Sequence, residues 1–353
     1  MKYSILIPAY KPDENLIQTV DSLTDTLKDL LGANYEIVIV NDGSPEECGS
    51  IFAALDGKAT LLTHAENRGK GAALKTGMEY IRRYCSPSVV VTADADGQHL
   101  PVDILNCIIS AESDQEALVL GTRKFRLGSG VPIKSFLGNK ITEGVFLLST
   151  GKHVHDTQTG LRAFHSSLIP ELMEAEGNRY EYEMNQLLKV IKDGVPIREV
   201  PITTVYKGKN ESSHFDPFRD SFLIYRKLLK FALSSVSSFI VDYIMFAFFS
   251  LLFTGTAGVA LSNVFARVIS AGFNYEINRD LVFRDNGARS SSLPKYAALA
   301  AVVLILNTGI LYMLNLGLGI PLLLAKIITE AVVFLFSWSM QNIFVFTKGG
   351  AFR

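Results

Sequence analysis

The stretch Ser88-Val-Val-Val-Thr-Ala-Asp94-Ala-Asp96-Gly-Gln98-His99 runs from apolar, β-branched residues straight into two carboxylates spaced by two. A short run of this kind predicts a strand buried on both faces. Two positions apart on extended backbone, Asp94 and Asp96 aim their side chains the same way. Like charges held together repel unless a cation joins them, and hard oxygen ligands with a side-chain amide at Gln98 suit Mg²⁺ or Mn²⁺. A surface turn rich in Asp and Gly is the competing reading. Position directly after a buried strand favours the metal.

Similar runs recur at Tyr3 to Ile7, Tyr35 to Val40, Ala59 to Leu62 and Ala117 to Leu120. Between them lie helical patterns, Glu14 to Leu31 with apolar Leu16, Val20, Leu23, Leu27 and Leu30, and Gly71 to Tyr84. Alternation of this kind predicts a mostly parallel, Rossmann-like sheet covered by helices, whose ligands collect at the carboxyl ends of the strands. Pro8-Ala9-Tyr10 closes the first run and Asn41-Asp42-Gly43-Ser44 the second. Together they suit a nucleoside, with Asp42 accepting from base or ribose and Tyr10 offering a ring face. Taken alone, Asp-Gly-Ser reads as a turn and helix cap. Asn67-Arg68-Gly69-Lys70-Gly71 adds backbone amides and cations suited to phosphate, without the spacing of a Walker loop.

The 353 residues carry 34 Lys and Arg against 35 Asp and Glu, and no basic block dominates, which argues against nucleic acid as a partner. Met1 to Tyr10 lacks the zones of a signal peptide, so the first domain is expected in the cytoplasm. Cys48, Cys85 and Cys107 have neither paired nor metal-ligand spacing and read as unpaired thiols of a reducing compartment. Near Lys230 the composition changes. Four apolar segments follow, at about 231–253, 257–277, 296–318 and 321–346, each near the ~20 residues a membrane-crossing helix needs. Arg226, Lys227 and Lys230 precede the first, Arg279, Arg284, Arg289 and Lys295 separate the second and third, and Lys348 and Arg353 follow the last. The positive-inside rule then puts the first domain and both termini on the cytoplasmic side of a multi-pass cell-membrane protein. Phe273-x4-Asn278-Arg279-x2-Val282-Phe283 recurs as Phe336-x4-Gln341-Asn342-x2-Val345-Phe346, which suggests two related helical hairpins. Asp242 with Arg267, and Lys326 with Glu330, are expected to pair, since a charge at mid-bilayer costs about 2.5–3.5 kcal/mol.

In order, Ile7-Pro8-Ala9-Tyr10, Val40-Asn41-Asp42-Gly43-Ser44, Asn67-Arg68-Gly69-Lys70-Gly71, Asp94-Ala95-Asp96-Gly-Gln98, Gly121-Thr-Arg123 and Asp156-Thr-Gln-Thr-Gly160-Leu-Arg162-Ala-Phe164 resemble glycosyltransferase family 2, dolichyl- and polyprenyl-phosphate sugar synthases in particular. The resemblance covers roughly Met1 to Tyr225, departs from the family pattern at Lys11-Pro12, and implies a GT-A-type α/β fold. It implies nucleotide-sugar binding by Pro8, Tyr10, Asp42, Lys70, Asp94, Ala95, Asp96 and Arg123, with Asp96 and Gln98 joining Asp94 at the metal. Arg123 would approach a phosphate, and Arg162 with Asp156 would lie near the reacting phosphates. For Arg162 a fold-stabilising salt bridge stands as an equal reading. The segment after Lys230 resembles the GtrA-like family. The expected domains are 1–215, an interfacial amphipathic helix at 216–230, and a four-helix membrane domain at 231–347; a homo-oligomer is left open.

A polyprenyl phosphate is the expected acceptor. A hydroxyl would need a general base, whereas a phosphate monoester with a second pKa of about 6 attacks as an oxyanion. Inversion at the anomeric carbon then turns an α-linked donor, a UDP-sugar or GDP-mannose, into a β-linked product. Lys134 and Lys140, on an amphipathic stretch from Val131 to Leu148, together with Arg162 and His214, are the candidate contacts to the lipid phosphate. That stretch reads equally as an ordinary packing helix, and His214 also reads as a structural hydrogen-bonder. Two rivals remain, a family 2 transferase with a hydroxyl acceptor and a lipid-linked sugar flippase with a degenerate first domain.

Overall fold

Five apolar runs, each flanked by turn residues, become the strands β1 (Lys2–Ala9), β2 (Tyr35–Asn41), β3 (Thr60–Thr63), β4 (Ser88–Thr92) and β5 (Leu118–Arg123) of the computed structural model. The structure describes residues 2–31, 34–123, 140–203 apart from 141, 145 and 149, 219–253, 255–285 and 287–346. It divides into two units, Met1–Phe146 with Lys152–Leu223, and Leu147–Gly151 with Ile224–Arg353.

In the first unit β6 (Arg162–His165) and β7 (Ile197–Ile202) complete a seven-stranded sheet of order β3-β2-β1-β4-β6-β5-β7. All pairings are parallel except those of β6, which runs antiparallel to both β4 and β5. Sequence periodicity does not show these two strands. β6 has four residues with Arg162 and His165 at its ends, and β7 carries Arg198, Glu199 and Pro201. Charge and proline on an edge strand discourage further pairing, which suits β7 at the rim of the sheet.

Consecutive residues Ile5, Leu6 and Ile7 are all fully buried, because helices cover both faces. On one face the stripe Leu16, Val20, Leu23 and Leu27 of α1 (Glu14–Leu31) and Ile104, Cys107, Ile108 and Ala111 of α3 (Pro101–Ser113) join Ile5, Ile39, Val89 and Val91 in one core. On the other lies α2 (Lys70–Tyr84), with Leu74, Met78 and Ile81 buried. Each such side chain contributes about 1.5–3 kcal/mol relative to exposure. This packing fixes the ends of β1, β2 and β4 side by side. α4 (Glu181–Lys192) precedes β7.

The second unit holds α5 (Arg219–Leu252) from Ile224 onward, with α6 (Gly255–Ile277), α7 (Arg289–Tyr312) and α8 (Leu322–Met340). α5 continues without a break through Lys230, so the basic segment and the first apolar segment form one helix. Among the described residues three helical segments, Leu229–Leu252, Arg289–Asn307 and Ile327–Val345, are long and apolar enough to cross a membrane, against the four expected. α6 is helical over 23 residues and on average as apolar as α5 and α7, and several of its side chains lie outside the described residues. Asp242 accepts from the Ser270 hydroxyl at 2.9 Å and lies 3.7 Å from the Arg267 guanidinium. Glu330 accepts from Asn307 at 3.1 Å, while the Lys326 side chain lies outside the described residues.

Both members of the sequence repeat end in the same wide π-helical turn, Asn278–Val282 after α6 and Gln341–Val345 after α8. Counterparts touch each other. Asn278 Nδ2 donates to Gln341 Oε1 at 2.9 Å, and Phe283 stacks on Phe346 with ring centroids 4.9 Å apart.

Candidate active site

The strand ends converge on a cleft of about 660 Å³ in the first unit. Pro8, Tyr10, Asp42, Lys70, Asp94, Ala95 and Asp96 all line it, joined by Asn67, Gly69, Arg179 and Tyr180. Asp94 and Asp96 follow β4 where the sheet ends, in a turn closed by the Gln98 amide nitrogen, which donates to Asp96 Oδ1 at 3.0 Å.

Of these two, Asp94 is the more heavily engaged. Lys70 Nζ lies 2.6 Å from Asp94 Oδ1 and 2.8 Å from Glu183 Oε1. His99 Nδ1 accepts from the Asp94 amide at 3.1 Å, and its Nε2 stands 3.8 Å from Asp94 Oδ2. Burial opposes ionisation of Asp94, but Lys70 and His99 outweigh it and hold the carboxyl well below the usual range. Burial also opposes charge on Lys70, and Asp94 with Glu183 reverse that, keeping it an ammonium. Asp96 moves the other way. Burial and the neighbouring Asp94 both push its pKa up.

Two carboxylates side by side at the cleft suit a divalent cation. Asp96 is an acid whose charge is disfavoured by its surroundings, beside a second carboxylate, and a divalent ion relieves both penalties. Among the described residues no group of three or more His, Cys, Asp or Glu is arranged for a metal. Two carboxylates with phosphate oxygens and water are, however, a usual Mg²⁺ environment, so the residues fit.

Asp42 lines the cleft with its carboxylate already engaged within the chain. It is 2 % exposed, and four donors meet its carboxylate. These are the Arg68 amide at 2.9 Å, the Gly69 amide at 2.7 Å, Asn67 Nδ2 at 3.1 Å and His64 Nδ1 at 2.7 Å. A carboxylate only accepts, so His64 donates through Nδ1, and its Nε2 faces the Thr76 hydroxyl at 2.9 Å. Asp42 therefore ties the 67–69 turn in place. The Arg68 and Gly69 amides expected to meet phosphate are spent on it. Gly69, at φ 100, must be glycine because a Cβ would strike Asn178 O and lie 2.8 Å from Arg179 Cγ. Close packing of this turn on the segment before α4 brings Arg179 and Tyr180 to the cleft. On the opposite wall Lys11 Nζ stands over the Tyr10 ring, 5.4 Å from its centroid, so one face of that ring is covered.

Arg123 lies beside the cleft in a bidentate pair with Asp156, Nε to Oδ2 at 2.7 Å and Nη2 to Oδ1 at 3.1 Å, and Asp156 is fully buried. Arg162 is 2 % exposed and donates to Thr159 O, Glu183 O, Gln186 Oε1 and Thr157 O. Of its two readings, this geometry favours a role in the fold, made by hydrogen bonds to carbonyl and amide oxygens rather than by the salt bridge expected. Lys140 pairs with Glu143 at 2.6 Å. Lys134 and His214 lie outside the described residues, as does most of the stretch from Val131 to Leu148. His64 and Glu183 are absent from the sequence reading. Each acts on a partner far along the chain, and no local pattern marks them.

A mostly parallel sheet with paired carboxylates at a strand end and an ammonium beside them, followed in sequence by a membrane domain, fits a membrane-bound glycosyltransferase. The chain belongs to glycosyltransferase family 2 and carries a GtrA/DPMS transmembrane domain, the two family models matching residues 4–172 and 230–346. A UDP-N-acetylglucosamine--dolichyl-phosphate N-acetylglucosaminyltransferase of Methanococcus voltae is 32% identical over 224 residues, covering 57% of this chain and 85% of that protein. The polyprenol monophosphomannose synthase of Mycolicibacterium smegmatis is 28% identical over 210 residues, covering 56% and 76%. Among solved structures, mannosyl-3-phosphoglycerate synthase from Rubrobacter xylanophilus aligns with TM-score 0.47 at 15% identity, covering 64% of this chain and 72% of that one.

Proposed function

We propose that this enzyme transfers a hexose from a nucleotide-sugar, a UDP-sugar or GDP-mannose, to a polyprenyl phosphate with inversion, giving a β-linked lipid-phosphate sugar for cell-envelope glycan modification. The observation that carries the reading is Asp94, Asp96 and Lys70 gathered at the ends of β1, β2 and β4 in one cleft. The names of the relatives, which pair sugar transfer with dolichyl phosphate or polyprenol, support the acceptor.

Asp94, Asp96 and Gln98 would hold a Mg²⁺ or Mn²⁺ ion, which when bound neutralises charge on the departing diphosphate. Lys70 supplies a further cation on the same side. Pro8, Tyr10 and Ala95 shape the wall for the nucleoside, and Arg123, oriented by buried Asp156, faces a phosphate as a positioned guanidinium. The acceptor is already an oxyanion at pH 7, so the chain's task is alignment and charge stabilisation rather than proton removal. Lys140 is proposed beside the lipid phosphate. With α6 taken as a fourth crossing, the basic flanks of the apolar segments assign the first unit and both termini to the cytoplasmic side.

The test is a donor panel with short-chain polyprenyl phosphate and Mn²⁺, on wild type and Asp96→Ala. Transfer to the lipid phosphate by wild type, lost in the variant, is expected. Undiminished transfer by Asp96→Ala overturns the metal assignment, and transfer to free alcohols but never to the lipid phosphate overturns the acceptor.

A further inference from the structure

Glu183 lies in the first turn of α4, 6 % exposed, with its own carbonyl accepting from Arg162 Nη1 at 2.8 Å. Its carboxylate meets Lys70. The Lys70 ammonium therefore stands between two carboxylates, Asp94 at 2.6 Å and Glu183 at 2.8 Å, with the Tyr180 ring centroid 5.8 Å away. One ammonium cannot neutralise both. A divalent cation drawn to Asp94 would meet a carboxylate that already carries the Lys70 ammonium on Oδ1. Two cations at one carboxylate repel each other, and the ammonium yields more readily when it has a second carboxylate to rest on.

We propose that Lys70 and the divalent cation compete for Asp94, and that Glu183 sets the balance by giving the ammonium a second carboxylate to remain on when Asp94 turns to the cation. Glu183 is then a positioning residue, acting on the cation through Lys70 and retaining the ammonium beside the diphosphate. Glu183 and Tyr180 both belong to the segment opening α4, so the ammonium changes its balance of partners without leaving its pocket. The inference rests on the reading of Asp94 and Asp96 as cation-holding residues.

Purified full-length protein in detergent is titrated with Mn²⁺ alone, followed by calorimetry and by Mn²⁺ electron paramagnetic resonance. Wild type, Lys70→Met, Glu183→Gln, their double variant and Asp96→Ala are compared after a thermal-unfolding check, with Lys70→Gln and Glu183→Ala replacing any variant that fails it. Lys70→Met is expected to tighten Mn²⁺ binding about fivefold and Glu183→Gln to weaken it about fivefold, the scale of coupling between contacting groups. Once Lys70 is gone, Glu183→Gln is expected to change binding by less than about twofold. If Glu183→Gln weakens binding equally in both backgrounds, Glu183 is only a general negative charge and the competition is overturned. Binding that responds to Asp96→Ala but not to Lys70→Met sinks the competition while leaving the cation site standing. Binding indifferent to Asp96→Ala, or no binding by wild type, removes the cation site and the competition with it.

Discussion

Gly160 offers a way to move one carboxylate of the cleft without touching its charge. A Cβ added there would lie 2.5 Å from Asp94 Oδ2, 2.7 Å from Oδ1 and 2.8 Å from Cγ. Ordinary contact begins at 3.4 Å. Gly160→Ala must therefore push the Asp94 carboxylate aside by about 0.7–0.9 Å, and a misplacement of about 1 Å costs about 100-fold in rate. The expected loss in kcat/KM is about 30- to 100-fold, or about 2–2.7 kcal/mol in the barrier. The fold should tolerate the change, because the obstructing atoms are a side chain at the rim of the cleft rather than backbone in the core. Radiolabelled sugar transfer to short polyprenyl phosphate gives the rate, and thermal unfolding the stability. Gly144→Ala, where nothing lies within 4 Å of the added carbon, is the control. A Gly160→Ala enzyme within twofold of wild type would refute the placement of Asp94 at the reacting centre.

Asp42→Asn replaces an acceptor of four hydrogen bonds by an amide with one oxygen, so stability should fall by about 2–4 kcal/mol in urea unfolding and the donor KM should rise as the 67–69 turn loosens; wild-type stability would contradict the tie. Arg162→Lys loses the planar fork that reaches four oxygens and should cost at least about 2 kcal/mol while specific activity of the folded fraction drops less than tenfold; near-complete loss of transfer at unchanged stability would instead assign Arg162 to the phosphates. Burial, with Glu36 for one and Asp103 for the other, pushes the Cys85 and Cys107 thiols up to about 12. At pH 8 a thiol reagent should thus modify Cys48 first, as mass spectrometry after brief labelling would show. These thiols stay protonated in the fold while unfolded cysteines ionise above about pH 8.5, so stability is full below that pH and falls as pH rises toward about 12. A urea midpoint that does not decline over that range would contradict it.

The sheet was legible where strands are buried on both faces, because residues such as Val89, Val90 and Val91 have no polar alternation to confuse with a loop. It was not legible at β6 and β7, where Arg162, Arg198 and Glu199 are strand residues for reasons of pairing rather than of hydrophobicity. The site follows the same division. Residues at strand ends, Tyr10, Asp42, Asp94 and Asp96, are brought to one cleft by the rule that parallel sheets bind at their carboxyl edge. What a strand end cannot reveal is who consumes its hydrogen bonds. The Arg68 and Gly69 amides look equally ready for phosphate or for Asp42, and only the folded chain shows them taken. Glu183 and His64 have no signature at all, since each matters through a partner that sequence distance hides.

In the membrane unit, like meets like where the two hairpins adjoin, but the likeness is imperfect. Asn278 faces Gln341, a side chain longer by one methylene, and Tyr275, whose hydroxyl bonds Ser292 at 2.7 Å, has Trp338 as its counterpart, buried with an indole N–H that has no partner among the described residues. A pair of separate identical hairpins would be forced to change both sides of such a seam together. Joined in one polypeptide, the halves answer to different selection, and a substitution in one hairpin leaves its twin untouched, so one half is at liberty to acquire a task the other never performs.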